Sequence, residues 1–146
     1  MIDEKDELIL NELKINGRES TVDISKKTGI PRVTVHERIK KMQEKGIIKK
    51  FTVMPDYKKL GQETTAFVLI AYAPKNLLQR QVAEKIGKLH NVYEIYLIAG
   101  EWDMIAKVRG KNLEDIGKLV LDKIRSIEGV EKTFTMASFE TIKDEC

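Results

Sequence analysis

The chain of 146 residues contains one cysteine, Cys146 at its last position, which excludes an internal disulfide and any CxxC metal or redox site. It also lacks an apolar run of the ~18 residues that a membrane span needs, and its acidic start, Met1-Ile2-Asp3-Glu4, is unlike a signal peptide. Hydrophobic residues still make up 42% of the chain, which is enough for a core. We therefore expect one ordinary domain or two small ones, in the cytoplasm and without a membrane partner.

Motifs for catalysis, phosphate binding and metal binding are missing as well. The chain has neither a Gly-x-x-x-x-Gly-Lys phosphate loop nor a Gly-x-Gly-x-x-Gly turn. His36-Glu37 begins like a zinc-binding helix, but Lys40 stands where the second histidine belongs. The other histidine, His90, falls in a different predicted domain. We expect no catalytic residue, no metal site and no cofactor.

Positive charge is concentrated in one short stretch. The net charge of the chain is only +3, but residues 25–50 hold nine Lys or Arg against two Asp or Glu, whereas residues 1–24 hold three against seven. Such a basic stretch indicates a polyanionic partner such as nucleic acid. A solvated helix face is the alternative, and charge alone does not decide between the two.

Three short helices are predicted within residues 1–46. Asp3 and Ser20 are expected to cap the first two helices, and Pro31 suits the first turn of the third. The ends of the helices are marked by glycines at positions 17, 29 and 46. In the third helix, Val35, Ile39 and Met42 recur at helical spacing and define a buried stripe. A short helix, a tight turn and a helix with a polar outer face form a helix-turn-helix, whose second helix enters the major groove of DNA.

The predicted DNA contacts divide into two groups. Residues near the outer face of the third helix are candidates to reach base edges, although His36 is alternatively an uninvolved surface residue: Arg32, Val33, Thr34, His36, Glu37 and Lys40. Basic residues around them are candidates to hold phosphates: Lys26, Lys27, Lys41, Lys45, Lys49 and Lys50. Arg38 lies nearer the buried stripe, so it fits a phosphate contact or a pairing with an acidic neighbour better than base recognition.

The remainder of the chain predicts a second domain of α+β class. Residues 47–61 are expected to form a hinge strand and linker between a helix-turn-helix domain, 1–46, and a sheet domain, 62–146. Alternating strands and amphipathic helices in the order βαββαβ indicate a ferredoxin-like sheet with both helices on one face. The expected elements are strands Thr64–Tyr72, Val92–Ala99, Met104–Arg109 and Val130–Thr141, and helices Asn76–Leu89 and Asn112–Ile127.

Two of these strands are apolar on both faces. In the strand from Val92, one predicted face carries Val92, Tyr96 and Ile98, and the other also carries apolar residues. Because the helices cover only one face, the other is expected to meet a second copy of the chain, which predicts a homodimer. A strand boundary misjudged by one or two residues is the alternative.

Both halves resemble one known family. The run from Gly29 to Ile48, GIPRVTVHERIKKMQEKGII, is similar to the recognition-helix signature of Lrp/AsnC regulators, although the family usually has Ser at position 31 and Ile at position 19. The turn Gly100-Glu101-Trp102-Asp103 is similar to the Gly-x-x-Asp turn of the family's RAM domain, which binds effectors. The resemblance implies a transcriptional regulator that binds double-stranded DNA as a dimer, with tetramers or octamers as further assemblies, and that responds to an amino acid or a related metabolite.

The effector-binding candidates are the four residues of that turn together with two hydroxyl residues of the last strand: Gly100, Glu101, Trp102, Asp103, Thr133 and Thr135. Asp103 can hold an ammonium group or order the turn through backbone hydrogen bonds. Trp102 can wall a pocket or fill the edge of a core, and the two threonines can bind a ligand or be satisfied locally.

An enzyme is the rival interpretation. The sirohaem decarboxylases resemble the same two-domain architecture and hold a tetrapyrrole through histidine and basic residues. This chain offers only two histidines, and a decarboxylase leaves the basic stretch unexplained.

Overall fold

The structure, a computed structural model, describes residues 2–74 and 76–145. It divides into two compact units, one ending at Met54 and one from Pro55 to Asp144, so the division falls inside the predicted linker. Within the described ranges, no helix is both long enough and apolar enough to cross a membrane.

The first unit, called here the helical unit, contains three helices: α1 (Glu4–Ile15), α2 (Thr21–Thr28) and α3 (Arg32–Glu44). Asp3 caps α1 in a reciprocal capping box with Asp6, and Ser20 Oγ accepts the Asp23 N–H at the start of α2. Pro31 precedes α3 without any side-chain cap. The three predicted helices are therefore confirmed close to their expected ends.

The core of the helical unit joins all three helices. Ile9 of α1, Ile24 of α2 and Val35 of α3 are fully buried, and Met42 is almost so. Ile39 packs against this cluster from a partly buried position. The predicted stripe of α3 is thus its core-facing side, which leaves the opposite side of the helix to solvent.

Residues 47–61, predicted as a hinge strand and linker, contain no strand in the structure, because no other described segment runs beside them to complete a ladder of hydrogen bonds. The end of the segment is a turn instead, in which the Gln62 N–H donates to the Tyr57 carbonyl at 2.8 Å.

The second unit, called here the sheet unit, has the predicted βαββαβ order. All neighbouring strands are antiparallel, in the order β2-β3-β1-β4. The last predicted helix is an α-helix that continues directly as a π-helical segment. The elements are β1 (Thr64–Tyr72), α4 (Gln79–Gly87), β2 (Val92–Leu97), β3 (Met104–Gly110), α5 (Leu113–Lys118) with its π-helical continuation (Leu119–Ile124), and β4 (Val130–Ala137).

One face of this sheet is covered by the helices. Val68 and Ile70 of β1 and Ala106 of β3 are fully buried against helical residues such as Val82 and Ile86. The helices thus lie on a single face, as the topology predicts, and the other face of the sheet is called here the open face.

A bulge in β2 corrects the predicted faces of that strand. The register with β3 shifts between Val92 and Glu94, so that Val92, Ile95 and Leu97 pair with residues of the helix-covered face. Tyr96 then lies on the open face and no longer shares a face with Val92. The extra residue inverts the alternation of side chains downstream, which a strict period of two cannot anticipate.

Candidate functional site

A hydrogen-bonded turn sets α3 against α2. Gly29 has a φ of 75°, a left-handed conformation that glycine adopts at little cost, and its N–H donates to the Ser25 carbonyl. The Ser25 hydroxyl donates to the Ile30 carbonyl at 2.6 Å, and the Thr28 hydroxyl donates to the Ile24 carbonyl at 2.7 Å. The turn therefore fixes the direction in which α3 leaves α2.

The outer side of α3 presents the predicted base-contacting residues. Val33 is 65% exposed, and His36, Glu37 and Lys40 are also exposed, whereas Thr34 is half-buried. Most of the predicted cations carry no internal compensation: no described residue forms an ion pair with Lys26, Arg32, Lys40, Lys41, Lys45, Lys49 or Lys50. This side of the helical unit therefore offers hydrogen-bonding groups within a field of unpaired positive charge.

Two of the predicted DNA contacts have internal partners instead. Arg38 Nη1 donates to a carboxylate oxygen of Asp3 and lies 3.3 Å from Asp6 Oδ1. The hydrogen bond from Arg38 is the main cause that lowers the pKa of Asp3 to about 2. The same contacts, first with Asp3 and then with Asp6, raise the pKa of Arg38. Of the two roles open to Arg38, the structure realises the pairing with acidic neighbours.

Lys27 is held in the same manner. Its Nζ lies 2.6 Å from Glu19 Oε1 and 3.7 Å from Glu12 Oε2. The ion pair with Glu19 is the main cause that raises the pKa of Lys27. Sequence reasoning treated the acidic residues of the first 24 positions only as helix caps and as part of the net charge. Their excess over basic residues in that stretch was the one sign that they form ion pairs with the basic stretch that follows.

The Gly100–Asp103 turn connects β2 to β3. Gly100 has a φ of 120°, which few other residues adopt. The Asp103 carboxylate accepts the Tyr72 N–H at 2.8 Å, and the Asp103 carbonyl accepts the Gln79 side-chain N–H at 2.9 Å. Asp103 thus ties the turn to β1 and α4, which gives its turn-ordering role a structural basis.

The six predicted effector residues do not converge on one site. Trp102 packs toward the open face, with its ring centroid 6.1 Å from that of Phe134 and 5.2 Å from Lys132 Nζ. Thr133 and Thr135 pair with Ile70 and Val68, so they lie on the opposite face of β4. Glu101 is exposed at the tip of the turn. Sequence reasoning missed Lys132 as a neighbour of Trp102.

A second cluster on the open face also escaped sequence reasoning. Arg109 is 7% exposed, and its guanidinium carbon lies 3.8 Å from the ring centroid of Tyr57 and 4.4 Å from that of Tyr93. Asp144 lies 3.5 Å from Arg109 and 3.6 Å from Lys107. Sequence reasoning missed this cluster for two reasons. The bulge beside Tyr93 disturbs the alternation of side chains in β2, and Tyr57, Arg109 and Asp144 are far apart in the sequence.

In the described ranges, no group of three or more His, Cys, Asp or Glu side chains lies in an arrangement that could hold a metal ion. His36 lies on α3, and His90 is exposed in the turn before β2, in the other unit.

Comparison with known proteins places both units. A family model for the Lrp/AsnC ligand binding domain matches residues 65–146, and one for winged helix-turn-helix DNA-binding matches residues 2–49. The chain belongs to the Lrp/AsnC family. An uncharacterised HTH-type transcriptional regulator of Pyrococcus abyssi is 56% identical over 99% of this chain and 97% of its own length. The regulator FL11 of Pyrococcus horikoshii is 40% identical over 98% of this chain and 93% of its own.

Solved structures agree with the fold. AsnC of Escherichia coli matches with a TM-score of 0.89 and 25% identity, over 100% of this chain and 97% of the other. A transcriptional regulator of Neisseria meningitidis in complex with L-methionine has the same fold, with a TM-score of 0.92 and 21% identity over 99% and 94% of the two chains. This Lrp/AsnC protein is a DNA-binding transcriptional regulator. The two relatives named above are described as transcriptional regulators and not as the decarboxylases of the rival interpretation.

Proposed function

We propose that α3 is inserted into the major groove of double-stranded DNA, with its outer side toward the bases. The observation that carries this assignment is the set of unpaired cations around a polar helix face, because phosphates supply the missing counter-charge. The base contacts come from the six residues named for that face, with Lys40 exposed on it and the half-buried Thr34 at its side. The first turn of α3 has no side-chain cap, so its N–H groups are free to meet a phosphate as well.

The regulator acts as a homodimer through the open faces of two sheet units. On that face Tyr96 is 56% exposed, Phe134 is 53% exposed, and Met136 is also exposed beside the half-buried Phe67 and Leu69. An apolar sheet face of this kind supports burial against a second copy, and a two-fold axis lets each residue meet its equivalent neighbours. Dimerisation then presents two copies of α3 to one DNA duplex.

The sheet unit of this regulator binds an amino acid near the Gly100–Asp103 turn. The support is the match to the Lrp/AsnC ligand binding domain and the L-methionine complexes of the Neisseria protein and of a Mycobacterium tuberculosis feast or famine regulatory protein with the same fold. Trp102 and Lys132 offer an apolar wall and a cation there, and Asp103 Oδ1 is the carboxylate oxygen not used by Tyr72.

The DNA assignment is tested by selecting sequences from a randomised library with the wild-type protein and footprinting the result. We expect half-sites spaced by whole helical turns of about 10 base pairs, which reflect the dimer axis. Thr34→Ala and Lys40→Ala are expected to change the preferred sequence, whereas Lys49→Ala with Lys50→Ala leaves the preference and lowers the salt dependence. Failure to enrich any sequence contradicts the base-contact assignment.

The effector assignment is tested by thermal shift with each of the twenty amino acids. A ligand that binds only the folded state raises the melting temperature in proportion to the logarithm of its concentration at saturation. Asp103→Ala separates the two roles of this residue. Loss of the ligand response at an otherwise similar stability indicates ligand contact, whereas an equal fall in melting temperature with and without ligand indicates turn ordering alone. If no amino acid shifts the wild type, the effector proposal is wrong.

A further inference from the structure

We propose that Arg38 and Lys27 are positioning residues, which hold α1 against the helix-turn-helix at two places and so set how α3 enters DNA, without touching a phosphate themselves. The inference rests on the proposed insertion of α3 into DNA. It assigns these two cations a role different from that of the unpaired cations around them, and it extends the DNA-binding machinery to four acidic residues.

Arg38 joins α3 to the N-terminal cap of α1. In the capping box, Asp3 Oδ1 accepts the Asp6 N–H and Asp6 Oδ2 accepts the Asp3 N–H. The remaining oxygens, Asp3 Oδ2 and Asp6 Oδ1, both face Arg38 Nη1. Each carboxylate therefore uses one oxygen to cap α1 and the other to hold α3, across 35 positions of sequence for Asp3 and 32 for Asp6. The side chain of Arg38 is only 27% exposed, so most of its surface is covered by the protein.

Lys27 joins α2 to the far end of α1. Its ammonium group lies between Glu12, in the last turn of α1, and Glu19, just before α2. The Glu19 side chain is 3% exposed, and neither of its carboxylate oxygens accepts a hydrogen bond in the part of the chain that the structure describes, so its compensation is the ion pair with Lys27. Lys27 is the group that balances this carboxylate. Moving Lys27 to a phosphate leaves a buried charge unpaired, which costs more than one exposed phosphate contact returns.

The two ion-pair clusters act on different helices of the DNA-binding pair. Lys27 fastens α2 and Arg38 fastens α3, while the buried residues Ile9, Ile24 and Val35 supply packing that is not directional. Ion pairs with a defined donor geometry add orientation to that packing. Base contacts depend on accurate placement of the helix, whereas nonspecific phosphate contacts by flexible lysines tolerate displacement. Removal of either ion-pair cluster is therefore expected to lower specific binding more than nonspecific binding.

The decisive variants remove an acid and leave every cation in place. Asp6→Asn keeps a carbonyl oxygen for the capping box and removes one of the two carboxylates that Arg38 contacts, while Asp3 remains. Glu19→Gln likewise removes the nearer of the two carboxylates beside Lys27, while Glu12 remains. If these cations touched phosphates, weakening their carboxylate contacts would strengthen DNA binding. If they position α3, the same variants weaken binding to the selected sequence. The two hypotheses thus predict changes of opposite sign.

The experiment uses the full chain and two probes, a duplex selected from a randomised library with the wild-type protein and a scrambled duplex of equal length. Dissociation constants are measured over a salt series for Asp6→Asn, Glu19→Gln, Arg38→Gln and Lys27→Gln. The matched controls are Lys41→Gln on α3 and Lys26→Gln on α2, whose cations have no ion-pair partner among the described residues. Melting curves identify the temperature at which every variant is folded.

We expect roughly tenfold weaker binding to the selected duplex for the four test variants, little change on the scrambled duplex, and a wild-type salt slope. Lys26→Gln and Lys41→Gln lower the slope by about 0.9 for each phosphate that is no longer neutralised. Tighter binding by Asp6→Asn and Glu19→Gln, or a lower slope for Arg38→Gln and Lys27→Gln, overturns the inference. So does unchanged affinity with a lower melting temperature, which indicates a role in stability alone. Absence of wild-type preference for the selected duplex contradicts the proposed function instead.

Discussion

The two units of this regulator present opposite kinds of surface. Around α3 the exposed residues are polar and cationic apart from Val33, and seven of the predicted DNA-contacting cations have no ion-pair partner among the described residues. On the open face of the sheet unit the exposed residues include Tyr96, Phe134 and Met136. A surface of unpaired charge gains most from a charged partner, whereas an apolar face gains most from leaving water. The two proposed associations, with DNA and with a second copy, therefore draw on different forces.

Salt is expected to separate the two associations by the largest effect. A dimer that neutralises about 6–10 phosphates loses roughly 10³–10⁵ in DNA affinity between 50 and 200 mM salt, because bound counterions are released from the duplex. Dimerisation through the apolar face changes little over the same range. Fluorescence anisotropy measures the first quantity and sedimentation equilibrium the second. The contrast between the two surfaces fails if the dimer dissociates with salt in parallel with DNA release.

A charge placed on the open face is expected to break the dimer. Phe134→Asp removes an aromatic side chain from the proposed interface and buries a carboxylate there, near the same carboxylate of the second chain. We expect this change to raise the dimer dissociation constant by about 10²–10³. Phe134→Leu keeps the apolar character and serves as the control. Sedimentation equilibrium at a fixed salt concentration gives both constants. A dimer that tolerates the aspartate has its interface elsewhere on the molecule.

The helical unit follows from its sequence more completely than the sheet unit does. Helix caps and the spacing of Val35, Ile39 and Met42 are local features, so Asp3, Gly29 and the core stripe could be predicted without knowing what α3 packs against. The pairing of Arg38 with Asp3 and Asp6 spans more than thirty positions, and nothing in the sequence indicates which acid a given cation meets.

Nonlocal features limited the prediction of the sheet unit. Its βαββαβ order and the placing of both helices on one face followed from pattern and topology rules, but the bulge after Val92 depends on the register with β3 and reversed the faces of β2. The predicted effector set failed to converge for a related reason. The alternation of β4, once its register with β1 is known, places the two threonines on the face opposite Phe134, and Phe134 is the residue that Trp102 contacts.

A glycine substitution tests whether the two units are stabilised separately. Gly129 has a φ of 97°, and a Cβ added there lies 2.6 Å from Val82 Cγ2, which is fully buried in α4. We expect Gly129→Ala to destabilise the sheet unit by about 2–4 kcal/mol, from backbone strain and overpacking together. Gly117→Ala is the matched control, because nothing lies within 4 Å of its added Cβ. In a helix interior that change stabilises by up to about 1 kcal/mol.

Hydrogen exchange of the full chain reports the outcome of these glycine variants segment by segment. Faster exchange confined to the strands and helices of the sheet unit supports separate stabilisation. Equal acceleration in α1–α3 contradicts it and indicates that the units unfold together.

The smallest expected effect is a change of stability with pH that arises from the charge of Asp3 in the helical unit. The pKa of Asp3 is about 2 in the folded chain against 3.8 ordinarily, mainly because of the hydrogen bond from Arg38. A folded-state pKa below the unfolded value means that the carboxylate stabilises the fold above pH 3.8, and that this contribution is lost as the pH falls toward 2.

Asp3→Asn keeps a good N-cap and removes the charge. We expect the variant to melt slightly below wild type at neutral pH and the difference to shrink between about pH 4 and pH 2. Glu4→Gln, which removes a neighbouring acid outside the Arg38 contact, serves as the control. Circular dichroism melts over this range measure the effect, and a difference between Asp3→Asn and wild type that stays constant with pH shows that the Asp3 charge does not contribute.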